Sequence, residues 1–138
     1  SIREHEAESL REPCPYRVIQ FGLRYRDRET LYERINRRVD QMAQAGLAEE
    51  VREARENGLT ATAAQAIGCK ELYGWLDGAE TLDAALEKLK QSTRRYAKRQ
   101  LTWFGADKRI HWIEPDAQEE GETPLDRVMK QLEKEGTP

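Results

Sequence analysis

Two stretches of this chain read as strands, and almost everything between them reads as helix. The first is Tyr16-Arg-Val-Ile-Gln-Phe-Gly-Leu23, rich in β-branched and aromatic residues with turn-like flanks. The second is Arg109-Ile-His-Trp-Ile113. Strand backbone groups need partners, and two strands make a poor sheet. The fold class is therefore α/β, a mostly helical chain with two strands, and further sheet partners are expected to lie elsewhere.

The helical stretch opens at Asp27, a capping residue. Leu31, Ile35, Val39 and Met42 then form one apolar stripe, and Gly46 closes it. Arg34, Arg38 and Gln41 lie on an adjacent stripe, and Glu33 is spaced to pair with Arg37. A second helix runs over 47–57 to Gly58, with a solvated acidic face of Glu49, Glu50, Glu53 and Glu56. Thr62 is expected to cap a short helix over 63–67 that Gly68 breaks, and another runs from 70 to Asp77 and Gly78. Thr81 caps the longest helix, over 82–104, with Leu82, Leu86, Leu89, Tyr96 and Trp103 on or near its buried side. A last helix is expected over 124–135.

Hydrophobic residues make up 38% of the 138 and charged residues 36%, which suits a helical protein with a thin core. No apolar run reaches membrane-spanning length and no signal-peptide pattern is present, so the expected compartment is the cytoplasm, without membrane contact. Cys14 and Cys69 are too few and too separated for a zinc site or a disulfide framework; both are expected reduced, with no structural metal. The net charge of -3 hides an uneven distribution. Residues 114–138 hold eight acids and three bases, whereas 1–113 hold 18 acids and 20 bases.

That positive charge is concentrated in Ser92-Thr-Arg-Arg-Tyr-Ala-Lys-Arg-Gln-Leu-Thr-Trp-Phe104, and no acid lies between Glu87 and Asp107. On a helix Arg94 neighbours Lys98, and Arg95 neighbours Arg99, giving a ribbon of cations with Thr102 and Trp103 just beyond. Cations beside an exposed ring suit phosphate contact and base stacking. The alternative is a solvated helix face whose aromatics point into the core.

Five segments in order resemble the C-terminal part of the tRNA dimethylallyltransferase (tRNA isopentenyltransferase) family. They are Pro15-Tyr-Arg-Val, Leu31-Tyr-Glu-Arg-Ile-Asn-Arg-Arg-Val-Asp40, Gly46-Leu-Ala-Glu-Glu-Val51, Gln65-Ala-Ile-Gly-Cys-Lys-Glu71 and Thr93-Arg-Arg-Tyr-Ala-Lys-Arg-Gln-Leu-Thr-Trp-Phe104. The likeness implies transfer of a dimethylallyl group from dimethylallyl diphosphate to N6 of the adenosine 3′ of the tRNA anticodon. It implies a P-loop NTPase-like α/β core with an inserted helical domain that grips the anticodon stem-loop. Residues 1–15 would end that inserted domain, 16–113 would be the C-terminal part of the core, and 114–138 an acidic loop and helix. The sequence contains no G-x-x-x-x-G-K-[ST] loop, and the family's catalytic aspartate would lie upstream. The chain is thus expected to be inactive alone, to carry no catalytic residue, and to leave Mg2+ mainly to the missing half. The full-length enzyme is expected to be a monomer, while the isolated chain, with unpaired strand edges, is expected to self-associate or be marginally stable.

The resemblance assigns tRNA contacts to Gln65, Ala66, Ile67, Gly68, Cys69 and Lys70, and to Lys98, Arg99, Gln100, Leu101, Thr102, Trp103 and Phe104, with Arg94 beside them. Cys69 stands where the family usually has tyrosine; the alternative for it is a small buried filler. Arg34 and Arg38 match the family's R-x-x-x-R pair, of which one is expected to face the diphosphate, with Arg38 preferred; surface pairing is the alternative. Glu71 is expected to orient Lys70 or cap the following helix, and His5 and His111 have no partner pattern. The competing reading is a stand-alone, non-catalytic helical RNA-binding module, which fits the missing P-loop but leaves the two strands without purpose.

Overall fold

The computed structural model describes residues 15–117 and 121–136. The expected end of an inserted domain at 1–15 lies, apart from Pro15, outside the described residues. The elements in chain order are β1 (Gln20–Leu23), α1 (Arg28–Gln44), α2 (Leu47–Glu56), α3 (Ala61–Ala64), a 3-10 turn (Lys70–Leu72), α4 (Tyr73–Leu76), α5 (Leu82–Gly105), β2 (Ile110–Ile113) and α6 (Pro124–Lys134).

β1 and β2 pair with each other in parallel, from Gln20 opposite Ile110 to Leu23 opposite Ile113. Each strand is shorter than its sequence pattern. The ladder starts at Gln20 because β2 offers no rung before Ile110. Upstream, Arg17 turns away and donates to the Glu135 carbonyl at the end of α6. At the register pair Gly22–Trp112 a Cβ on Gly22 would meet the indole ring at 2.7 Å, so only glycine lets Trp112 lie across the strand.

The core lies among the helices. Val39 of α1, Leu47 and Val51 of α2, Leu72, and Ala85 and Leu89 of α5 form one buried cluster, with Met42, Cys69, Tyr73 and Leu86 packed around it. The predicted stripe on α1 thus meets the predicted stripe on α5. Asp27 caps α1 through the amides of Glu29 and Thr30. Gly46, at φ +101, turns the chain from α1 into α2, a conformation an L side chain resists. Lys90, largely buried, bridges Asp40 of α1 and Glu87, and clamps the two long helices together.

Several expectations need correction. Thr60, not Thr62, caps α3; its backbone is extended and its hydroxyl accepts from the Ala63 amide, which places Thr62 inside the helix. That helix also stops at Ala64, short of Ile67. Glu33 and Arg37 form no ion pair. Tyr96 and Trp103 are not on the buried side of α5: they are 45% and 79% exposed. The apolar side of α5 turns away from both rings, because Leu82, Ala85, Leu86 and Leu89 meet the core only along its first half. Among the described residues no helix is long and apolar enough to cross a membrane.

Candidate nucleic acid interface

The second half of α5 extends beyond the core, and its four cations sort into two kinds. Arg94 and Arg99 are held by uncharged neighbours. Arg94 donates to Asn36 Oδ1 of α1 and lies 6.0 Å from the Tyr32 ring centroid. Arg99 lies 5.6 Å from the ring of Tyr96. The side chains of Arg95 and Lys98 make no ion pair or hydrogen bond with any described residue, and both residues are exposed. None of the four meets a carboxylate, whereas Lys90, one turn upstream of Arg94, meets two. The positive potential of this stretch is therefore unneutralised within the described residues.

Trp103 and Phe104 follow on the same helix, 79% and 48% exposed. Burying a large apolar side chain contributes about 1.5–3 kcal/mol, and Trp103 forgoes most of that. Thr102 donates its hydroxyl to the Lys98 carbonyl at 3.0 Å, leaving its oxygen lone pairs open to a ligand.

A groove of about 660 Å3 runs between this end of α5 and the face of the strand pair, lined among others by Phe21, Tyr25, Gln100, Leu101, Trp103 and Phe104. The Arg34 guanidinium lies 5.4 Å from the ring of Tyr25, one of the groove's lining residues. Arg38, one turn on, is exposed and makes no contact of this kind with the described residues. Of the two arginines, Arg34 is therefore the one tied to a groove-lining residue.

The loop over 65–70 follows α3 and leads into the 3-10 turn, which packs against α5. Gln65, Ala66, Ile67 and Lys70 are exposed, Gly68 is buried at φ +108, and Cys69 is half-buried against the core. A Cβ built on Gly68 would meet nothing within 4 Å, so the positive φ and not crowding is what favours glycine there. Glu71 neither orients Lys70 nor caps the next helix. It is 7% exposed, and its Oε2 accepts the Gly68 amide at 3.0 Å. Its other oxygen is buried without a partner. Leu72, which follows this loop, belongs to the same buried cluster as Leu89 in the first half of α5, whereas Trp103 lies near the far end of that helix. None of the residues 65–70 lines either groove beside the basic half of α5.

Sequence reasoning missed Tyr25 and Tyr32, the rings under Arg34 and Arg94. Their only signal was two aromatics flanking the Asp27 cap. Among the described residues no group of three or more His, Cys, Asp or Glu side chains could hold a metal ion.

A cation-rich helix without carboxylate partners, an exposed indole and a parallel strand pair define a mostly helical α/β protein. The family model for IPP transferase matches residues 1–107. The chain belongs to that family. It is 47% identical over 96% of its length to the tRNA dimethylallyltransferase of Desulforamulus reducens, covering 47% of that protein. It is 43% identical over 96% of its length to that of Bacillus subtilis, covering 40%. The solved tRNA isopentenylpyrophosphate transferase of Staphylococcus epidermidis superposes with a TM-score of 0.79 at 38% identity, over 96% of this chain and 43% of that one. The Bacillus halodurans enzyme does so at 0.76 and 39%, over 96% of this chain and 45% of that one. The chain thus spans about half the length, or less, of the relatives it matches.

Proposed function

We propose that this chain takes part in tRNA modification, as the portion of a tRNA dimethylallyltransferase that grips RNA and diphosphate. The reaction moves a dimethylallyl group from dimethylallyl diphosphate to N6 of the adenosine 3′ of the anticodon, in the cytoplasm. The observation that carries the reading is α5: four cations without a carboxylate among the described residues, ending in an exposed Trp103.

In this reading residues 16–113 form the C-terminal part of a P-loop NTPase-like core, preceded by the end of an inserted domain and followed by the acidic 114–138 segment. Lys98, Arg99 and Arg94 hold phosphates; Gln100 and Thr102 reach a base or ribose; Leu101, Trp103 and Phe104 supply apolar and stacking surface. The loop of Gln65, Ala66, Ile67, Gly68, Cys69 and Lys70 lines the path of the extruded adenosine, which cannot react while stacked. Arg34, beside Tyr25, takes the diphosphate in preference to Arg38, reversing the order favoured by sequence. A planar guanidinium can hold two diphosphate oxygens at once. The phosphate loop and the catalytic aspartate have no counterpart in this sequence, so the chain alone binds but does not transfer. The open edges of the strand pair make the isolated chain prone to self-association.

Binding of a synthetic anticodon stem-loop at two ionic strengths tests this. Lys98→Ala and Arg99→Ala should each lower the slope of log affinity against log salt by about 0.5–1. Failure of the chain to bind the hairpin, or slopes unchanged in both variants, overturns the reading. Prenyl transfer by the purified 138-residue chain overturns the division of labour.

A further inference from the structure

Leu31 and Leu101 line the large groove on one side and a second, smaller one of about 210 Å3 on the other. The rest of the smaller groove is Arg28 and Tyr32 from α1 and Lys98 and Thr102 from α5. We propose that this interhelical groove is a subsite for one nucleotide of a bound RNA, with Arg28 and Lys98 on its phosphate and Tyr32 against its base. The inference rests on the reading of α5 as an RNA-contacting helix, and it adds the first two turns of α1 to that surface.

Charge is the first argument. Two cations from different helices line one groove, and no acid lines it with them. Neither the Arg28 nor the Lys98 side chain makes an ion pair or hydrogen bond with any described residue. Arg28 moreover opens α1, where the helix dipole disfavours a cation. A phosphate between the two side chains would relieve both conditions.

The ring is the second. Tyr32 is half-buried and lies beneath Arg94, which Asn36 Oδ1 fixes in place. Its hydroxyl makes no hydrogen bond among the described residues. A ring oriented in advance loses little freedom on stacking.

Size is the third. Pockets for free small ligands measure about 300–1,000 Å3, and this groove is smaller. It fits one unit of a polymer whose neighbouring units are held elsewhere. Lys98 and Thr102 belong to both this groove and the exposed ribbon of α5, so a strand passing along the helix reaches the groove without a break.

The test is binding of the 138-residue chain to a fluorescent anticodon stem-loop at two ionic strengths, for the parent chain and for Arg28→Gln, Tyr32→Ala, Tyr32→Phe and Lys98→Ala. Arg28→Gln should lower the salt slope by about 0.5–1. Tyr32→Ala should weaken binding about tenfold or more, whereas Tyr32→Phe stays within about twofold of the parent. Thermal melts establish that each variant is folded; should Tyr32→Ala fail to fold, the exposed Arg28→Gln and the conservative Tyr32→Phe carry the result. Parent-like binding by Arg28→Gln and Tyr32→Ala, while Lys98→Ala still lowers the slope, overturns the inference and leaves the general reading intact. A parent chain that does not bind RNA overturns both. Equal competition by polyglutamate would show a generic anion surface and likewise overturn the inference.

Discussion

Glu71 Oε2 accepts the amide hydrogen of Gly68 at 3.0 Å, closing the loop that precedes it with a buried bond. Removing the acceptor strands a buried amide. Glu71→Ala is expected to cost about 1–3 kcal/mol by urea denaturation, and Glu71→Gln, which keeps an acceptor oxygen, clearly less. Amide exchange at Gly68 should accelerate in the alanine variant only. Equal losses in both variants would show that the carboxylate acts through its charge.

Trp103 separates stability from binding. At 79% exposed, its replacement by alanine should change folding stability by no more than about 0.5 kcal/mol. Affinity for the anticodon stem-loop should fall about tenfold. A large drop in melting temperature would show that the indole packs in the folded chain after all.

Leu72 and Leu89 are 0% and 2% exposed in the centre of the core. Leu72→Ala or Leu89→Ala should each cost about 2–5 kcal/mol in chemical denaturation. In a thin core that is a large share of the total, and a variant that melts like the parent would show that the cluster is not the stabilising centre.

Acid should unfold the chain through its capped and paired carboxylates. The side chain and then the amide of Arg109 hold Asp107 down to about 2, from an ordinary 3.8. The amides of Asp27 and Arg26 lower Asp116, and Thr30 lowers Asp27. A carboxyl with a depressed folded pKa contributes stability above its unfolded value and loses it as pH falls through the folded one. Melting temperature should therefore hold from neutral pH to about 5 and decline between about 4 and 2. Asp107→Asn should flatten the lowest part of that decline; a midpoint that rises on acidification would contradict the assignment.

The helices were legible because their signals are local. Asp27, Thr81, Gly46 and Gly58 mark ends through their own backbone and side-chain chemistry, and the stripe from Leu31 to Met42 needs only its spacing. The Thr60 cap was missed because Thr62 carries the same chemistry two residues on, and only the backbone dihedrals decide between them. The capping box of Thr123 and Asp126 was present in the spacing and went unread. The basic half of α5 was visible as a run of charge. Its lack of carboxylate partners was not, because that depends on which helix faces it: Arg94 meets Asn36, 58 residues away, and not an acid. The rings of Tyr25 and Tyr32 belong to the same class of long-range fact. So does the burial of Glu71, a charged residue that composition places on the surface.

The register of the strand pair sets an order of events in folding. Gln20 pairs with Ile110, so the ladder joins distant points of the chain. Closing so long a loop before anything else has formed sacrifices chain entropy for four rungs of hydrogen bonds. Helix α5 docking on α1 shortens that search by bringing both ends of the segment to one side. The strands should therefore zip last, and the RNA-facing groove they border should be the final part of the molecule to acquire its shape.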